Sequence, residues 1–336
     1  MRNTNRQWKL ARYPEGLPKP DDWVLEEGPV PEPGPGQMLL AARFLDVAPY
    51  MRGRISPAKN YAAGVSPGDL MIGGGVGEVV RSNVDGFAPG DLVVSDFDFG
   101  WQDYAVLTPA RVRRVDTALA PPECWLDVLG LNGITAYFGL LEAASMRAGD
   151  TVVVSAAAGS VGQIVGQLAA IAGGRAVAIA SSADKAAACK ALGFADAIAY
   201  REVADLGAAI AAACPGGVDV YFDNTVGPIL DAVLCNLATH ARITICGTIS
   251  LAARFGEPDL GERYWRQVLV ARTRIQGFLV LDYKDRYDEA RARLAGWVRE
   301  GRIRQRFDFA EGLERTPEAF IRLLESRNTG KQLVKV

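Results

Sequence analysis

Apolar residues along the chain follow two rhythms, and the change comes near residue 126. Before it, short hydrophobic runs at 38–44, 77–81 and 91–95 are parted by turn signals such as Pro33-Gly34-Pro35-Gly36 and Pro89-Gly90-Asp91. That spacing suits an all-β barrel. Beyond it, β runs at 151–155, 176–180, 196–200, 218–222, 242–246 and 274–280 alternate with alanine-rich segments of helical character. Six strands with helices between them predict a doubly wound parallel sheet. Farther on, Tyr287, Ala290, Leu294, Trp297 and Val298 recur at helical spacing among charged residues, so an amphipathic helix is expected over 285–299. Residues 302–309, 316–324 and 332–336 then read strand, helix, strand, and are expected to fold back on the β region. No internal repeat or low-complexity tract interrupts the pattern.

The sharpest local signal lies at the first strand of the second region. Thr151-Val152-Val153-Val154-Ser155 runs into Ala156, Gly159 and Gly162, and then Val161, Ile164, Val165 and Leu168 mark a helix. Strand, tight turn and helix in that order place unpartnered backbone amides and the positive end of a helix dipole at the turn, which attracts phosphate. Gly159 and Gly162 lack side chains where a pyrophosphate and the neighbouring strand would approach closely. Ala156 stands where the usual dinucleotide fingerprint has its first glycine. The stretch 151–174 is apolar enough to imitate a membrane span, but Gln163, Gln167 and its glycines argue against one.

Composition narrows the class. A length of 336 residues favours two domains, and a net charge of -2 offers no concentrated positive face for nucleic acid or an anionic membrane. The opening MRNTNRQWKL lacks the apolar core of a secretory signal, so a cytoplasmic location is expected. Cys124, Cys189, Cys214, Cys235 and Cys246 are scattered singly, against a disulfide framework or a four-cysteine zinc site. With a single histidine, His240, metal catalysis is not expected; His240 itself reads as a surface or capping residue at a helix end.

Candidate chemistry gathers at strand ends. Ser181, Ser182 and Lys185 follow the second strand, where an NAD site normally shows a carboxylate; donors and a positive charge suit a 2′-phosphate and favour NADP. Tyr200, the Asp223-Asn224-Thr225 run, residues 246–250 and Phe278-Leu279-Val280 end other strands of the same sheet. Asp223 and Asn224 read equally as helix caps or as cofactor contacts. In the β region, Tyr50 can offer a phenolic proton to a ligand or simply cover the barrel end.

Val47-Ala48-Pro49-Tyr50-Met51-Arg52, Gly73-Gly74-Gly75-Val76-Gly77-Glu78-Val79, Gly133-Ile134-Thr135-Ala136-Tyr137-Phe138-Gly139-Leu140, the glycine turn, Tyr221-Phe222-Asp223-Asn224, Ile245-Cys246-Gly247-Thr248-Ile249-Ser250 and Asn328-Thr329-Gly330-Lys331 occur in this order. Across nearly its whole length the chain thereby resembles the medium-chain dehydrogenase/reductase superfamily, and within it the zinc-free branch of NADP-dependent alkenal and enone reductases. The resemblance implies a GroES-like β-barrel catalytic domain (residues 1–127 with 305–336) and a Rossmann NADP-binding domain (128–304) whose doubly wound parallel sheet has six strands. It implies that Gly159, Ser160, Val161 and Gly162 hold the pyrophosphate, and Ser181, Lys185 and Tyr200 the 2′-phosphate. Asn224, Cys246, Gly247, Ile249, Ser250, Phe278, Leu279, Val280 and Asn328 would line the rest of NADP(H), with Tyr50 as the catalytic hydrogen-bond donor. The implied reaction is hydride transfer from NADPH to the β-carbon of an enone or enal, by a homodimer. A zinc-independent quinone reductase and a catalytically silent NADPH-binding protein are the alternatives. Many relatives carry a tyrosine eight residues before the counterpart of Phe278; here that place is Val270.

Overall fold

The computed structural model describes residues 3–336. In chain order, β1 (Thr4–Leu10), β2 (Trp23–Pro29), β3 (Met38–Asp46), α1 (Tyr50–Arg54), β4 (Gly75–Ser82), β5 (Leu92–Ser95), β6 (Tyr104–Leu107) and β7 (Arg113–Arg114) precede α2 (Leu131–Phe138). The alternating region follows as β8 (Thr151–Ser155), α3 (Ser160–Ile171), β9 (Arg175–Ala180), α4 (Ala183–Ala191), β10 (Asp196–Ala199), α5 (Leu206–Ala213), β11 (Val218–Asp223), α6 (Gly227–Leu234), β12 (Leu237–Ile245), α7 (Trp265–Ala271) and β13 (Arg274–Gly277). The chain continues through α8 (Tyr287–Arg299), β14 (Phe307–Glu311), α9 (Thr316–Leu324) and β15 (Lys331–Lys335). Among the described residues no helix is long and apolar enough to cross a membrane.

The alternating region forms a parallel sheet in the order β10-β9-β8-β11-β12-β13, with β8 and β11 at its centre. Val152, Val153 and Val154 of β8 are fully buried, as a strand covered on both faces must be. The order reverses beside β8, so the carboxyl ends of β8 and β11 open the crevice where such sheets take ligands. The other lobe is built on β3, which pairs antiparallel with β4 along one edge and with both β6 and β15 along the other. β14 and β15 complete this seven-stranded sheet, while β1 and β2 form a separate hairpin. One buried apolar cluster spans the lobes, running from Val76, Val94 and Leu333 to Val154, Ile164 and Phe222.

Three elements differ from the hydrophobic pattern. Residues 302–306 are not strand, and β14 starts at Phe307. The amides of Arg304 and Arg306 donate instead to the side-chain oxygens of Gln167 (2.8 Å) and Gln163 (3.0 Å) on α3, which thus take the place of a pairing strand. The last strand of the parallel sheet stops at Gly277 and releases residues 278–280. His240 stands not at a helix end but within β12, exposed, with φ +64°, where pairing shifts register between Val218 and Val220 of β11. The extra β12 residues there bulge outward.

Candidate functional site

A cleft of about 550 Å³ opens between the lobes, at the carboxyl ends of β8, β9, β11 and β12. It brings together Tyr50, Gly159, Ser160, Val161, Gly162, Ser181, Lys185, Tyr200, Asn224, Cys246, Gly247, Ile249, Phe278, Leu279, Val280 and Asn328. Ser250 is not on its wall; its hydroxyl donates to the Thr225 carbonyl at 2.6 Å. Val270 also stays away from the cleft, half exposed on α7 beside Cys235 and Gln267. A valine there removes no polar group from the cleft. Nearby Tyr264 is exposed and donates to Glu262.

The turn after β8 has the geometry its residues dictate. Ala156 adopts φ +47°, the left-handed conformation a glycine would take without strain. A Cβ on Gly162 would stand 2.5 Å from the Ala156 carbonyl oxygen, so only glycine lets the helix start this close to the turn. Gly159 is the N-cap of α3, whose first amides face the cleft without intrahelical partners, a setting that could receive a pyrophosphate. From the far lobe, Gly330 closes on this turn, its amide donating to the Ala158 carbonyl at 2.8 Å.

Two buried carboxylates flank the turn. At the strand end, Asp223 Oδ1 accepts from the backbone amides of Thr225 and Val226 (both 2.8 Å) and from the hydroxyls of Tyr221 (2.9 Å), Thr225 (3.1 Å) and Ser155 (3.2 Å). This hub holds Val226 at φ +56°, a conformation a β-branched residue rarely adopts. It also fixes Asn224, whose amide donates to Ser155 Oγ at 2.9 Å. Burial raises the Asp223 carboxyl, and the hydrogen bonds from the Val226 and Thr225 amides oppose that. At the helix start, Asp127 is fully buried and accepts the hydroxyl proton of Ser160, while its Oδ2 has no partner. Burial pushes this carboxyl up to about 6, against the Ser160 hydrogen bond and the Lys331 charge. No motif pointed to Asp127. Lys331, which belongs to the Asn328-Thr329-Gly330-Lys331 segment, forms a buried ion pair with Asp46.

The remaining walls divide by chemistry. Lys185 donates to the Ser326 carbonyl at 2.5 Å beside Ser181 and Tyr200, and burial lowers its ammonium, with Arg201 adding to the effect. This corner offers a cation and hydroxyl groups to an anion. Elsewhere Tyr50, Phe97, Tyr61, Leu131, Phe278 and Leu281 make an apolar wall, and Tyr50 packs edge-on against Phe97 at 5.7 Å between ring centroids. The Tyr50 hydroxyl is buried there with no hydrogen-bond partner. Burial, reinforced by the nearby Asp46 carboxylate, raises it well above the usual phenol value. It therefore stays protonated and holds an unused hydrogen-bond donor. Burial likewise pushes the Cys246 thiol up to about 12, which leaves it a poor nucleophile.

Residues 6–115 match the family described as N-terminal domain of oxidoreductase, and residues 160–296 the one described as zinc-binding dehydrogenase. NADPH-dependent curcumin reductase of Escherichia coli is 39% identical over 100% of this chain and 98% of its own length. The NADP(+)-dependent 2-alkenal reductase of Nicotiana tabacum is 36% identical over 99% and 98%. The crystal structure of CurA in complex with NADPH from Vibrio vulnificus superposes with a TM-score of 0.91 at 39% identity, covering 98% of this chain and 99% of that one. Zinc appears in the second family description, and the residues here do not fit it. Among the described residues no three of His, Cys, Asp and Glu converge to hold a metal ion.

Proposed function

We propose, since this chain belongs to the medium-chain dehydrogenase/reductase family and to its branch of NADP-dependent reductases, that it reduces the carbon–carbon double bond of α,β-unsaturated ketones and aldehydes with NADPH. The observation that carries this reading is the Tyr50 hydroxyl, buried and unpartnered in the cleft that also gathers the glycine turn and Lys185. Gly159, Ser160, Val161 and Gly162 would hold the pyrophosphate, and Ser181, Lys185 and Tyr200 the 2′-phosphate. Asn224, Cys246, Gly247, Ile249, Phe278, Leu279, Val280 and Asn328 would line the remainder. When bound, the cofactor supplies a hydride from C4 of its nicotinamide.

The protein's own share is orientation and charge. Negative charge develops on the substrate carbonyl oxygen as its β-carbon is saturated, and Tyr50 donates a hydrogen bond to that oxygen. Such a donor, fixed in a dry wall before the reaction starts, stabilises the transition state more than the ground state. The apolar wall around Tyr50 excludes water from the double bond, and water at the cleft mouth provides the α-proton. Tyr50→Phe is expected to lower kcat on an enone by about a hundredfold with NADPH binding unchanged. Deuterium placed at C4 of NADPH should appear on the β-carbon of the product. Turnover of quinones without turnover of enones would refute the substrate assignment.

The assembly that fits this reading is a homodimer. β13 is an edge strand, and Leu260, Trp265 and Leu269 in the segment that leads into it are 77%, 63% and 76% exposed, apolar side chains that a second copy would cover. Leu269→Arg should then convert a dimer to a monomer in sedimentation velocity, and an unchanged sedimentation coefficient would exclude this face.

A further inference from the structure

Asp127 lies behind the cleft wall, not on it. Every element packed against it presents a group to it: Ser160 from α3, Asn132 from α2, Lys331 from β15, Asp46 from β3, and Cys124 from the turn before it. Lys331 is already committed to Asp46. Asp127 therefore has one bonded oxygen, facing Ser160, and one bare oxygen in a fully buried position. Ser160 is the first residue of α3 and stands on the cleft wall in the turn that would receive a pyrophosphate. A serine hydroxyl has one proton to give. While that proton is donated to Asp127, the Ser160 side chain offers a phosphate in the turn only oxygen lone pairs, with a buried negative charge behind them, beside the amides of the helix start.

We infer that Asp127 is a positioning residue for the dinucleotide turn: carrying a proton, it donates to Ser160 Oγ and frees the serine proton to point at the phosphate, so the dinucleotide is bound with uptake of a proton at Asp127. The relay is balanced. One proton enters the Asp127 carboxyl from solvent, the Ser160 hydroxyl changes direction without losing its own proton, and no covalent bond to carbon or phosphorus changes. The carboxyl's upward displacement to about 6 places this protonation within reach of neutral pH, and the negative charge of a phosphate favours it further. The inference rests on the cofactor reading above.

Calorimetric titration of the intact protein with NADP+, which tolerates acid, tests it between pH 5.5 and 8.5. Asp127→Asn keeps the shape and presents a permanent N–H to Ser160. Because the 2′-phosphate of NADP+ itself titrates in this range, the readout is the difference between wild type and variant. Wild-type affinity should fall about tenfold more than that of the variant across the range, the equivalent of one pH unit of coupling. At pH 7, paired buffers of different ionisation heat should show proton uptake in the wild type beyond that of the variant. Ser160→Ala should abolish the extra pH dependence, and it decides the matter if the asparagine variant does not fold. Parallel pH profiles with equal proton counts overturn this inference alone. Failure of NADP+ to bind at any pH overturns the cofactor reading as well.

Discussion

Asp127 and Asp223 are two buried carboxylates at opposite ends of one turn, and they are built differently. Asp223 grips the strand end through a single oxygen that receives two backbone amides and three hydroxyls, and it holds a strained valine in place. Asp127 grips the helix start through one hydroxyl alone, and in both carboxylates the second oxygen is bare. Burial raises both carboxyls, but only Asp223 has backbone amides to hold the charged form. A carboxylate hydrogen-bonded from several sides is a fixed strut. One with a single adjustable partner can change state when charge arrives next to it. The turn is thus anchored on one side and free to respond on the other.

Removing the strut should have the larger effect. Asp223→Ala leaves five donors around a buried void, and unfolding in denaturant should show a loss of about 4 kcal/mol. Asp127→Asn should act in the opposite direction and depend on pH. The folded-state value of this carboxyl, about 6, lies above its usual 3.8, so the native state holds the extra proton. The stability it contributes is fully present below pH 4 and is lost as pH rises through 6. At pH 8 the asparagine variant should be more stable than wild type by up to about 3 kcal/mol, with the gain gone at pH 4. A variant less stable than wild type at pH 8 would make Asp127 a strut like Asp223. Smallest is Ala156→Gly, which relieves the left-handed alanine. A gain of about 1 kcal/mol at most is expected, reduced by the added freedom of the unfolded chain.

What could be read in advance depended on how local the cause was. α9 was legible to the residue, because Ala319, Phe320 and Leu324 keep a helical beat between a proline start and a polar stop. The turn was legible because close approach leaves only glycine at 162. The cleft residues at strand ends followed from the alternation of strands and helices, which puts those ends on one side of the sheet. Asp127 was not legible, since nothing beside it in sequence says that α2, α3, β3 and β15 enclose it. Residues 302–306 misled for the same reason: their strand-like composition is genuine, but Gln163 and Gln167, well over a hundred residues earlier, take their amides. Ser250 and position 270 show the limit of transferring a role by resemblance, because the Ser250 hydroxyl turns to the Thr225 carbonyl and residue 270 lies half exposed on α7.

The Gly330 and Lys331 contacts carry a consequence for biosynthesis. A nascent chain exposes the glycine turn when about half its length has left the ribosome, yet the segment that docks on Ala158 and neutralises Asp46 emerges only with the final strand. Until then the crevice lacks one side. Truncation before residue 330 would remove this contact and leave the apolar cluster that spans the lobes to hold them together.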